Sequence, residues 1–317
     1  MKIALLDDYQ RVALSLADWE RLRPTHEVVA FNDHLDNDDA LVQRLADFDI
    51  VMVMRERTPL TARVLQRLPK LKLIVTGGMR NASIDMQAAR ERGIVVSGTG
   101  GLPYPTAELT IGLMIAWSRS IPQEDRALRE GRFQTTLGRG LNGRTLGAIG
   151  LGTLGSRVAK VALALEMNVV AWSQNLTDER AAAVGVKRVE KDDLLRQADY
   201  VSLHVVLSER TRNIIGAREL ALMKPTACLI NTSRAGLVDQ QALLAALNEK
   251  RIAGAALDVY DVEPLPRDHP LQRAPNTVLT PHLGYVTAET YAVFFREALE
   301  DIEAFLGGKP ARVLNAA

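Results

Sequence analysis

Short apolar runs alternate with helix-like segments along most of the 317-residue chain. Each run is too short for a helix and rich in valine, isoleucine or leucine, which indicates a buried strand. Strands that alternate with helices form βαβ units, so the pattern predicts an α/β fold with two doubly wound parallel sheets. The runs fall into two series, the first at 2–6, 27–31, 50–54, 71–75 and 94–96, and the second at 145–149, 168–172, 200–205, 226–230, 253–257 and 277–279.

Two helical segments lie outside this alternation. Pro105 opens a long apolar helix between the two series, and a final helix runs from Ala288 to about Phe305. A chain of this length exceeds the usual size of one hydrophobic core, so two domains are expected. The residues alone leave open whether the final helix closes the second sheet or returns to the first domain.

Composition excludes several classes of protein. The 39 basic and 38 acidic residues nearly cancel, so the chain has no general attraction for nucleic acid or an anionic membrane. No apolar run approaches the length of a membrane span, and Asp7 and Asp8 come too early for a signal peptide. Cys228, the only cysteine, lies in an apolar run and is expected to pack in the core. We therefore expect a soluble cytoplasmic protein without a metal site.

The segment "TLGAIGLGTLGSRVAK" combines a strand, a glycine-rich turn and the start of a helix. Gly150 permits the tight turn, Gly152 lets the backbone approach a pyrophosphate, and Gly155 lets the helix pack on the strand. The helix N-terminus adds amides and a favourable dipole for phosphates. A methyltransferase that binds S-adenosylmethionine can use a similar loop, so the motif predicts a nucleotide-binding fold and leaves the reaction open.

Three later loops carry residues that can do chemistry. Arg234, Glu263 and His282 each follow a different strand of the second series, and the carboxyl ends of parallel strands share one edge. Arg234 can bind a carboxylate with its planar fork and polarise a neighbouring carbonyl. His282 can pass a proton to or from oxygen, with Glu263 orienting its ring. Each residue alone is more often solvated than catalytic, so the prediction depends on their joint placement.

The remaining histidines receive other interpretations. His204 ends the strand at 200–205 and is expected to pack near the nucleotide. His26, His34 and His269 have the sequence surroundings of ordinary surface residues.

Taken together, the motifs resemble the D-isomer-specific 2-hydroxyacid dehydrogenases. The segments "GRTLGAIGLGTLGSRVAK", "ADYVSLHVVLSERTRNIIG", "LMKPTACLINTSRAGLVD", "ALDVYDVEPL" and "TPHLGYVT" occur in the order typical of that family. The resemblance covers nearly the whole chain and implies reduction of a small 2-oxo acid with NAD or NADP as cofactor. It also implies that Arg234 binds and polarises the substrate, and that protonated His282, paired with Glu263, donates to the carbonyl as hydride arrives.

The domain organisation is implied by the same resemblance. Residues 1–98 and 289–317 would form a flavodoxin-like substrate domain, and a Rossmann cofactor domain at 99–288 would be inserted in it, with the active site in a cleft between the two. A homodimer through the cofactor domain is expected. The cofactor-binding residues expected on this basis are Thr106, Gly150, Gly152, Thr153, Leu154, Gly155, Ser173, His204, Thr232 and Asp258, the last on the nicotinamide side.

The loop "VTGGMRNASID" is the candidate site for the substrate carboxylate. Gly77 and Gly78 follow a strand and can present backbone amides to an anion, with Met79 beside them. The family usually has a small or apolar residue where this chain has Arg80, and an added guanidinium favours a substrate with an acidic or phosphorylated far end. A solvated surface arginine is the alternative. Arg55 is a second possible contact with the acid.

Cofactor choice depends on the end of the second strand of the Rossmann unit. An NAD-specific unit usually has an acidic residue there, which binds the ribose hydroxyls and repels a 2′-phosphate. This chain has Ser173, followed by Gln174 and Asn175, so both the repelling acid and an attracting arginine are missing. We expect weak discrimination between NADH and NADPH. Whether Arg180, in the next helix, reaches back is left open.

A binding module is the alternative function. Some relatives, the C-terminal-binding-protein corepressors, use this fold to sense a nucleotide and recruit partners. The sequence has no long disordered tail and no evident peptide-binding extension, which favours the enzyme. One further departure from the family is Tyr285, which replaces a common glycine and is expected to narrow the cleft.

Overall fold

The strands of the described chain lie in two parallel sheets, which confirms the predicted fold class. The structure is a computed structural model that describes residues 1–316. The chain divides into two compact units. Unit 1 is Met1–Leu102 together with the segment from Thr287 onward, and unit 2 is Pro103–Val286.

Strands and helices follow one another in the order expected for βαβ units. The strands are β1 (Lys2–Leu5), β2 (Glu27–Ala30), β3 (Ile50–Val53), β4 (Leu73–Thr76), β5 (Val95–Gly98), β6 (Thr145–Ile149), β7 (Asn168–Trp172), β8 (Lys187–Arg188), β9 (Tyr200–Leu203), β10 (Cys228–Asn231), β11 (Gly254–Leu257) and β12 (Thr277–Leu279). The α-helices are α1 (Asp38–Leu45), α2 (Ala62–Leu65), α3 (Met86–Glu91), α4 (Pro105–Ser118), α5 (Ile121–Arg129), α6 (Thr153–Ala164), α7 (Asp178–Ala182), α8 (Lys191–Gln197), α9 (Ala217–Leu222), α10 (Gln240–Asn248) and α11 (Ala288–Leu306). Short 3₁₀ helices cover Ala13–Ser15, Trp19–Arg21, Ala235–Leu237 and Pro270–Arg273.

The sheet of unit 1 has the strand order β2-β1-β3-β4-β5, which is the flavodoxin-like order. Its central strands β3 and β4 are buried along their whole length, as expected of a parallel sheet covered on both faces. Helix α11 belongs to this unit and packs on β4. Its side chains Tyr291, Phe294 and Phe295 are buried, and Phe294 lies against Gly77. The final helix therefore returns to the first domain.

The sheet of unit 2 has the order β12-β11-β10-β9-β6-β7-β8. This is the Rossmann order with β12 added at one edge, and the direction of strand addition reverses between β6 and β9. Ligands of such sheets bind beyond the carboxyl ends of the strands, next to the reversal. Cys228 is fully buried in β10, as expected.

Two elements of unit 2 differ from the sequence prediction. The apolar helix that starts at Pro105 ends at Ser118, and a second, largely polar helix, α5, begins at Ile121 after Ser120, which adopts a left-handed conformation (φ +50°). Strand β8 is not predicted, since Lys187 and Arg188 contain no apolar residue and pair only with the outer side of β7. Neither difference alters the order of the central strands.

The interpretation of His34 as a surface residue is wrong. Its Nδ1 lies 2.9 Å from Asp7 Oδ1, and the side chains of His34 and Asp7 are 10% and 1% exposed. Thr58 Oγ1 donates to the other Asp7 oxygen at 2.6 Å. The hydrogen bond with Asp7 is the main cause that raises the pKa of His34, and burial opposes it. The pair fixes the chain directly after β1.

This pair predicts a pH dependence of stability. Because the folded-state pKa of His34 lies above its ordinary value of 6.5, its contribution is complete below pH 6.5 and is lost as pH rises through the folded pKa. The free energy of unfolding, measured by urea titration between pH 5.5 and 8.5, should therefore fall across this range. His34→Gln keeps a donor for Asp7 without titrating, and should flatten that fall. Asp7→Asn is the matched variant. An unchanged pH profile in both variants would contradict the prediction.

Candidate active site

The carboxyl edge of the unit 2 sheet gathers the polar loops of this unit. The glycine-rich turn follows β6, and the loops that carry Arg234, Glu263 and His282 follow the neighbouring strands β10, β11 and β12. All these strands are parallel, so the four loops emerge at one edge. The structure therefore places the three predicted chemical residues on adjacent strands.

Glu263 and His282 form a hydrogen-bonded pair. Glu263 Oε2 lies 2.6 Å from His282 Nδ1, and the two side chains are only 24% and 14% exposed. The other carboxylate oxygen of Glu263 accepts a hydrogen bond from the Tyr260 amide at 2.9 Å, which orients the carboxylate. A carboxylate beside Nδ1 can only accept, so the hydrogen bond uses a proton carried by Nδ1. Proton exchange with a ligand then falls to Nε2.

The loop that carries His282 is held by a buried carboxylate, Asp258. This residue is fully buried at the end of β11. Its oxygens accept hydrogen bonds from Thr280 Oγ1 at 2.6 Å, from the Leu283 amide at 2.7 Å and from the Gly284 amide at 2.8 Å. Burial raises the pKa of Asp258, and the hydrogen bonds oppose that rise. Asp258 therefore fixes the backbone on both sides of His282.

The loop that carries Arg234 is fixed by side chains on its own strand end. Asn231 Nδ2 donates to the Arg234 carbonyl at 2.9 Å, and Asn231 Oδ1 accepts from the Ser233 amide at 3.0 Å. Ser233 Oγ donates to the Leu203 carbonyl on the neighbouring strand at 2.7 Å. Half-buried Arg234 donates from Nη1 to the Ser233 carbonyl at 2.7 Å. The guanidinium is thus held near the strand end.

Two threonines with expected cofactor roles stabilise the same edge. Thr106 Oγ1, in the first turn of α4, donates to the Gly284 carbonyl at 2.9 Å. Thr232 Oγ1 lies 2.8 Å from Thr110 Oγ1, in a buried contact that joins the end of β10 to α4. Both contacts tie α4 to the loops of the candidate site.

The three glycines of the turn after β6 have different structural requirements. Gly150 has a left-handed backbone (φ +102°), and a Cβ there would lie 2.7 Å from the His204 carbonyl. A Cβ on Gly155 would overlap the Gly150 carbonyl oxygen. A Cβ on Gly152 would meet nothing within 4 Å, so no packing within the protein requires glycine there. Open space at Gly152 fits a ligand that approaches the backbone. Thr153 and Leu154 begin α6 directly after it.

Beside this turn lies an open cleft of about 450 Å³. It runs from the glycine turn to the end of β7, and no acidic residue of the described chain lines it. The residues that line it are Gly150, Leu151, Gly152, Trp172, Ser173, Gln174, Asn175, Leu176, Arg180, His204, Val205, Val206, Ser208, Arg210, Thr211 and Ile214. Arg180 lines the same cleft as Ser173.

His204 lies in the wall of this cleft as a neutral ring. Its Nε2 lies 2.9 Å from Ser202 Oγ, and its Nδ1 is buried without a hydrogen-bond partner in residues 1–316. Burial lowers the pKa of His204 to about 4. A neutral ring suits a packing role beside a nucleotide, and an unsatisfied buried nitrogen next to the glycine turn fits a bound polar ligand.

In unit 1, the prediction for the amides of Gly77 and Gly78 is wrong. The Gly77 amide donates to the Val53 carbonyl at 3.2 Å, and the Gly78 amide donates to Thr99 Oγ1 at 2.9 Å. Both donors are satisfied by the unit itself, so they are not presented to an anion. Arg55, in a left-handed conformation (φ +55°), lies against this turn, while Met79 and Arg80 are exposed. Side chains therefore dominate the accessible surface of the loop.

Sequence reasoning missed several residues that position the site. Asn231, Tyr260 and Thr280 fix the loops of Arg234, Glu263 and His282. The first and third directly follow an apolar run, as polar residues that end a buried strand, and this signal could have found them. Tyr285, which replaces a common glycine, packs the edge of its ring against His282 with the centroids 5.5 Å apart.

Within residues 1–316, no group of three or more His, Cys, Asp or Glu residues is arranged to hold a metal ion. Over the same residues, no helix has both the length and the apolar character needed to cross a membrane.

The chain is similar in sequence to known proteins. A family model described as "D-isomer specific 2-hydroxyacid dehydrogenase, NAD binding domain" matches residues 111–284. D-3-phosphoglycerate dehydrogenase of Methanocaldococcus jannaschii is 39% identical over 277 residues, which are 86% of this chain and 52% of that protein. Glyoxylate reductase of Korarchaeum cryptofilum is 37% identical over 283 residues, 87% of this chain and 85% of that protein.

A similar solved structure extends the match to the whole fold. The crystal structure of a phosphoglycerate oxidoreductase from Vibrio cholerae superposes with a TM-score of 0.92 at 37% identity, covering 97% of this chain and 99% of that chain. This chain nevertheless spans only about half of the length of the phosphoglycerate dehydrogenase that it matches.

The glycine turn yields a test of its packing. Gly155→Ala should lower the free energy of unfolding by about 3 kcal/mol, because the new methyl group overlaps the Gly150 carbonyl and the helix must shift. Gly152→Ala is the matched control, and it should change stability by less than about 1 kcal/mol because its Cβ enters open space. Urea denaturation of both variants measures the difference. Equal losses would show that the packing explanation is wrong.

Proposed function

Since the chain belongs to the D-isomer specific 2-hydroxyacid dehydrogenase family, we propose that it reduces a 2-oxo acid to the D-2-hydroxy acid with NADH or NADPH. The observation that carries the proposal is the hydrogen-bonded Glu263–His282 pair. Its two residues follow β11 and β12, next to β10, which the loop of Arg234 follows. Reduction of a 2-oxo acid needs two groups from the protein: a cation that binds the substrate carboxylate, and an acid–base pair that protonates the carbonyl oxygen. The reverse reaction uses the same groups.

Arg234 binds the substrate in this proposal. Its planar guanidinium forms paired hydrogen bonds to the substrate carboxylate and polarises the neighbouring carbonyl. Asn231 and Ser233 hold the loop, so the guanidinium is oriented before substrate arrives. Orientation in advance lowers the entropic cost of binding and of reaching the transition state.

His282 supplies the proton. Nε2 donates it to the carbonyl oxygen of the substrate, and the Glu263 carboxylate, 2.6 Å from Nδ1, orients the ring for this transfer. In the oxidative direction, neutral His282 accepts the hydroxyl proton. Tyr285 packs against the ring and limits its rotation.

NAD(P)H, when bound, supplies the hydride. The residues proposed to hold it are Thr106, Gly150, Gly152, Thr153, Leu154, Gly155, Ser173, His204, Thr232 and Asp258, of which Gly150, Gly152, Ser173 and His204 line the cleft. Open space beside Gly152, the unsatisfied nitrogen of His204 and the N-terminus of α6 support this assignment. Asp258 contributes through the loop that it fixes, since its oxygens already accept three hydrogen bonds.

A homodimer through the cofactor domain is part of the proposal. Four large apolar side chains of unit 2 are exposed on α5 and the segment after it: Ile121, Leu128, Phe133 and Leu137, with Phe133 at 77% and Leu137 at 98%. Exposed apolar residues concentrated in one segment are typical of an interface between protein chains. A second copy of the chain would bury them.

The catalytic assignment predicts distinct kinetic losses. On the best of a panel of glyoxylate, hydroxypyruvate, pyruvate, bulkier 2-oxo acids and phosphohydroxypyruvate, His282→Ala should lower kcat by on the order of 10² to 10⁴. Arg234→Ala should lower kcat and raise KM, because its contact serves both the ground state and the transition state. Arg273→Ala, an exposed arginine of the same unit, is the control.

Near-native kinetics in either catalytic variant would contradict the roles of Arg234 and His282. A wild-type protein that binds dinucleotide but reduces none of the panel would contradict the reductase activity itself and favour a binding module.

A second prediction concerns Arg80, an exposed arginine in unit 1. We propose that its guanidinium favours substrates with an acidic or phosphorylated far end. Arg80→Ala should then lower kcat/KM for phosphohydroxypyruvate or a dicarboxylate about tenfold more than for pyruvate or glyoxylate. Arg63→Ala, which removes an exposed arginine of the same unit, is a suitable control. Equal losses on all substrates, or no loss, would show that Arg80 is an ordinary surface residue.

A further inference from the structure

The unit 2 cleft has an unusual charge. Ser173 directly follows β7, and Gln174 and Asn175 come next. Two arginines line the same cleft, Arg180 from α7 and Arg210 from the loop after β9. No acidic residue of the described chain lines the cleft, so the side chains that line it include two positive charges and no negative one.

Both guanidiniums are exposed, and neither has a hydrogen-bond or ion-pair partner within residues 1–316. Two neighbouring arginines of unit 2, Arg188 and Arg196, are paired by contrast. Arg188 lies 2.9 Å from a Glu190 oxygen, and Arg196 lies 3.1 Å from an Asp193 oxygen. Two unpaired cations beside one cleft repel each other unless an anion lies between them. The arrangement therefore favours an anionic ligand in this cleft.

The position within the fold identifies the anion. The end of the second Rossmann strand lies where the adenine ribose of a dinucleotide binds, and an acidic residue there rejects a 2′-phosphate. This chain has the hydroxyl of Ser173 at that point, and a hydroxyl can donate to a phosphate. A phosphate monoester carries about −1.5 to −2 charges at pH 7, which matches two guanidiniums.

We propose that Arg180 and Arg210, together with Ser173, bind the 2′-phosphate of NADP(H), and that this chain prefers NADP(H) to NAD(H). The inference rests on the proposed dinucleotide binding and extends it to cofactor choice. It also assigns the selectivity to residues outside the strand end itself: one comes from the following helix and one from a loop two strands away in the sheet order.

Calorimetric binding to the full chain tests the inference without turnover. The probes are NADP⁺, NAD⁺, 2′,5′-ADP and 5′-AMP, and the last two differ only in the 2′-phosphate. We expect NADP⁺ to bind at least about tenfold more tightly than NAD⁺, with the same order for the two short nucleotides. Arg180→Ala and Arg210→Ala should each weaken NADP⁺ about tenfold and change NAD⁺ less than twofold.

Matched variants distinguish a direct contact with the 2′-phosphate from a general loss of positive charge or a loss of the fold. Arg273→Ala removes one exposed arginine of unit 2 outside the cleft, and should leave all four affinities unchanged within twofold. Ser173→Asp restores the acid that repels a 2′-phosphate, and should shift the ratio of the two affinities toward NAD⁺ by about tenfold or more. Thermal unfolding of each variant verifies that it folds.

Two results would overturn the inference. NAD⁺ binding as tight as NADP⁺ binding in the wild type would contradict the preference and leave the proposed reductase intact. NADP⁺ affinity unchanged in the variant that lacks both Arg180 and Arg210 would contradict the assignment of the phosphate to them. If no dinucleotide binds at all, the proposed function fails together with the inference.

Discussion

The buried carboxylate of Asp258 is the interaction on which the candidate site most depends. It accepts three hydrogen bonds from the chain segment that contains His282, namely from Thr280, Leu283 and Gly284. A charged group without exposure is tolerated only when such donors replace water. The same three donors would be unsatisfied without it. The position of the His282 imidazole is therefore set by Asp258, at the end of the neighbouring strand, through its hydrogen bonds to the loop on both sides of His282.

The other loops of the candidate site are also held by hydrogen bonds, but from uncharged groups. An asparagine fixes the arginine loop, a backbone amide orients the glutamate, and threonines tie helix α4 to the strand ends. In the arginine loop, the short polar side chains of Asn231 and Ser233 satisfy backbone groups at the end of a buried strand. Long side chains with chemical roles then extend from loops that are already rigid. Parallel strands and shared edges make this possible, because every loop of the set emerges on one side.

Features set by neighbouring residues can be predicted from the sequence, whereas features set by pairs of distant residues cannot. Strands β6, β7 and β12 match the predicted runs residue for residue, because each is a local apolar run bounded by polar residues. The joint placement of Arg234, Glu263 and His282 also follows from order along the chain. The burial of His34 does not, since its partner Asp7 is distant in sequence. Nor do the hydrogen bonds of the Gly77 and Gly78 amides, whose acceptors lie on β3 and directly after β5. Pairings between distant residues leave no local pattern.

The position of α11 has a consequence for how the chain is made. This helix supplies buried aromatic residues to unit 1, yet it is synthesised after all of unit 2. The part of the first sheet that α11 covers, at β4, therefore stays uncovered until the residues of unit 2 have been synthesised. Once unit 2 folds, the contact of Thr106 with Gly284 holds the two ends of that unit together. The loop that α11 must close becomes short, and a tenfold shorter loop costs about 2 kcal/mol less to close. Folding of unit 2 thus lowers the entropic cost of docking α11 on unit 1.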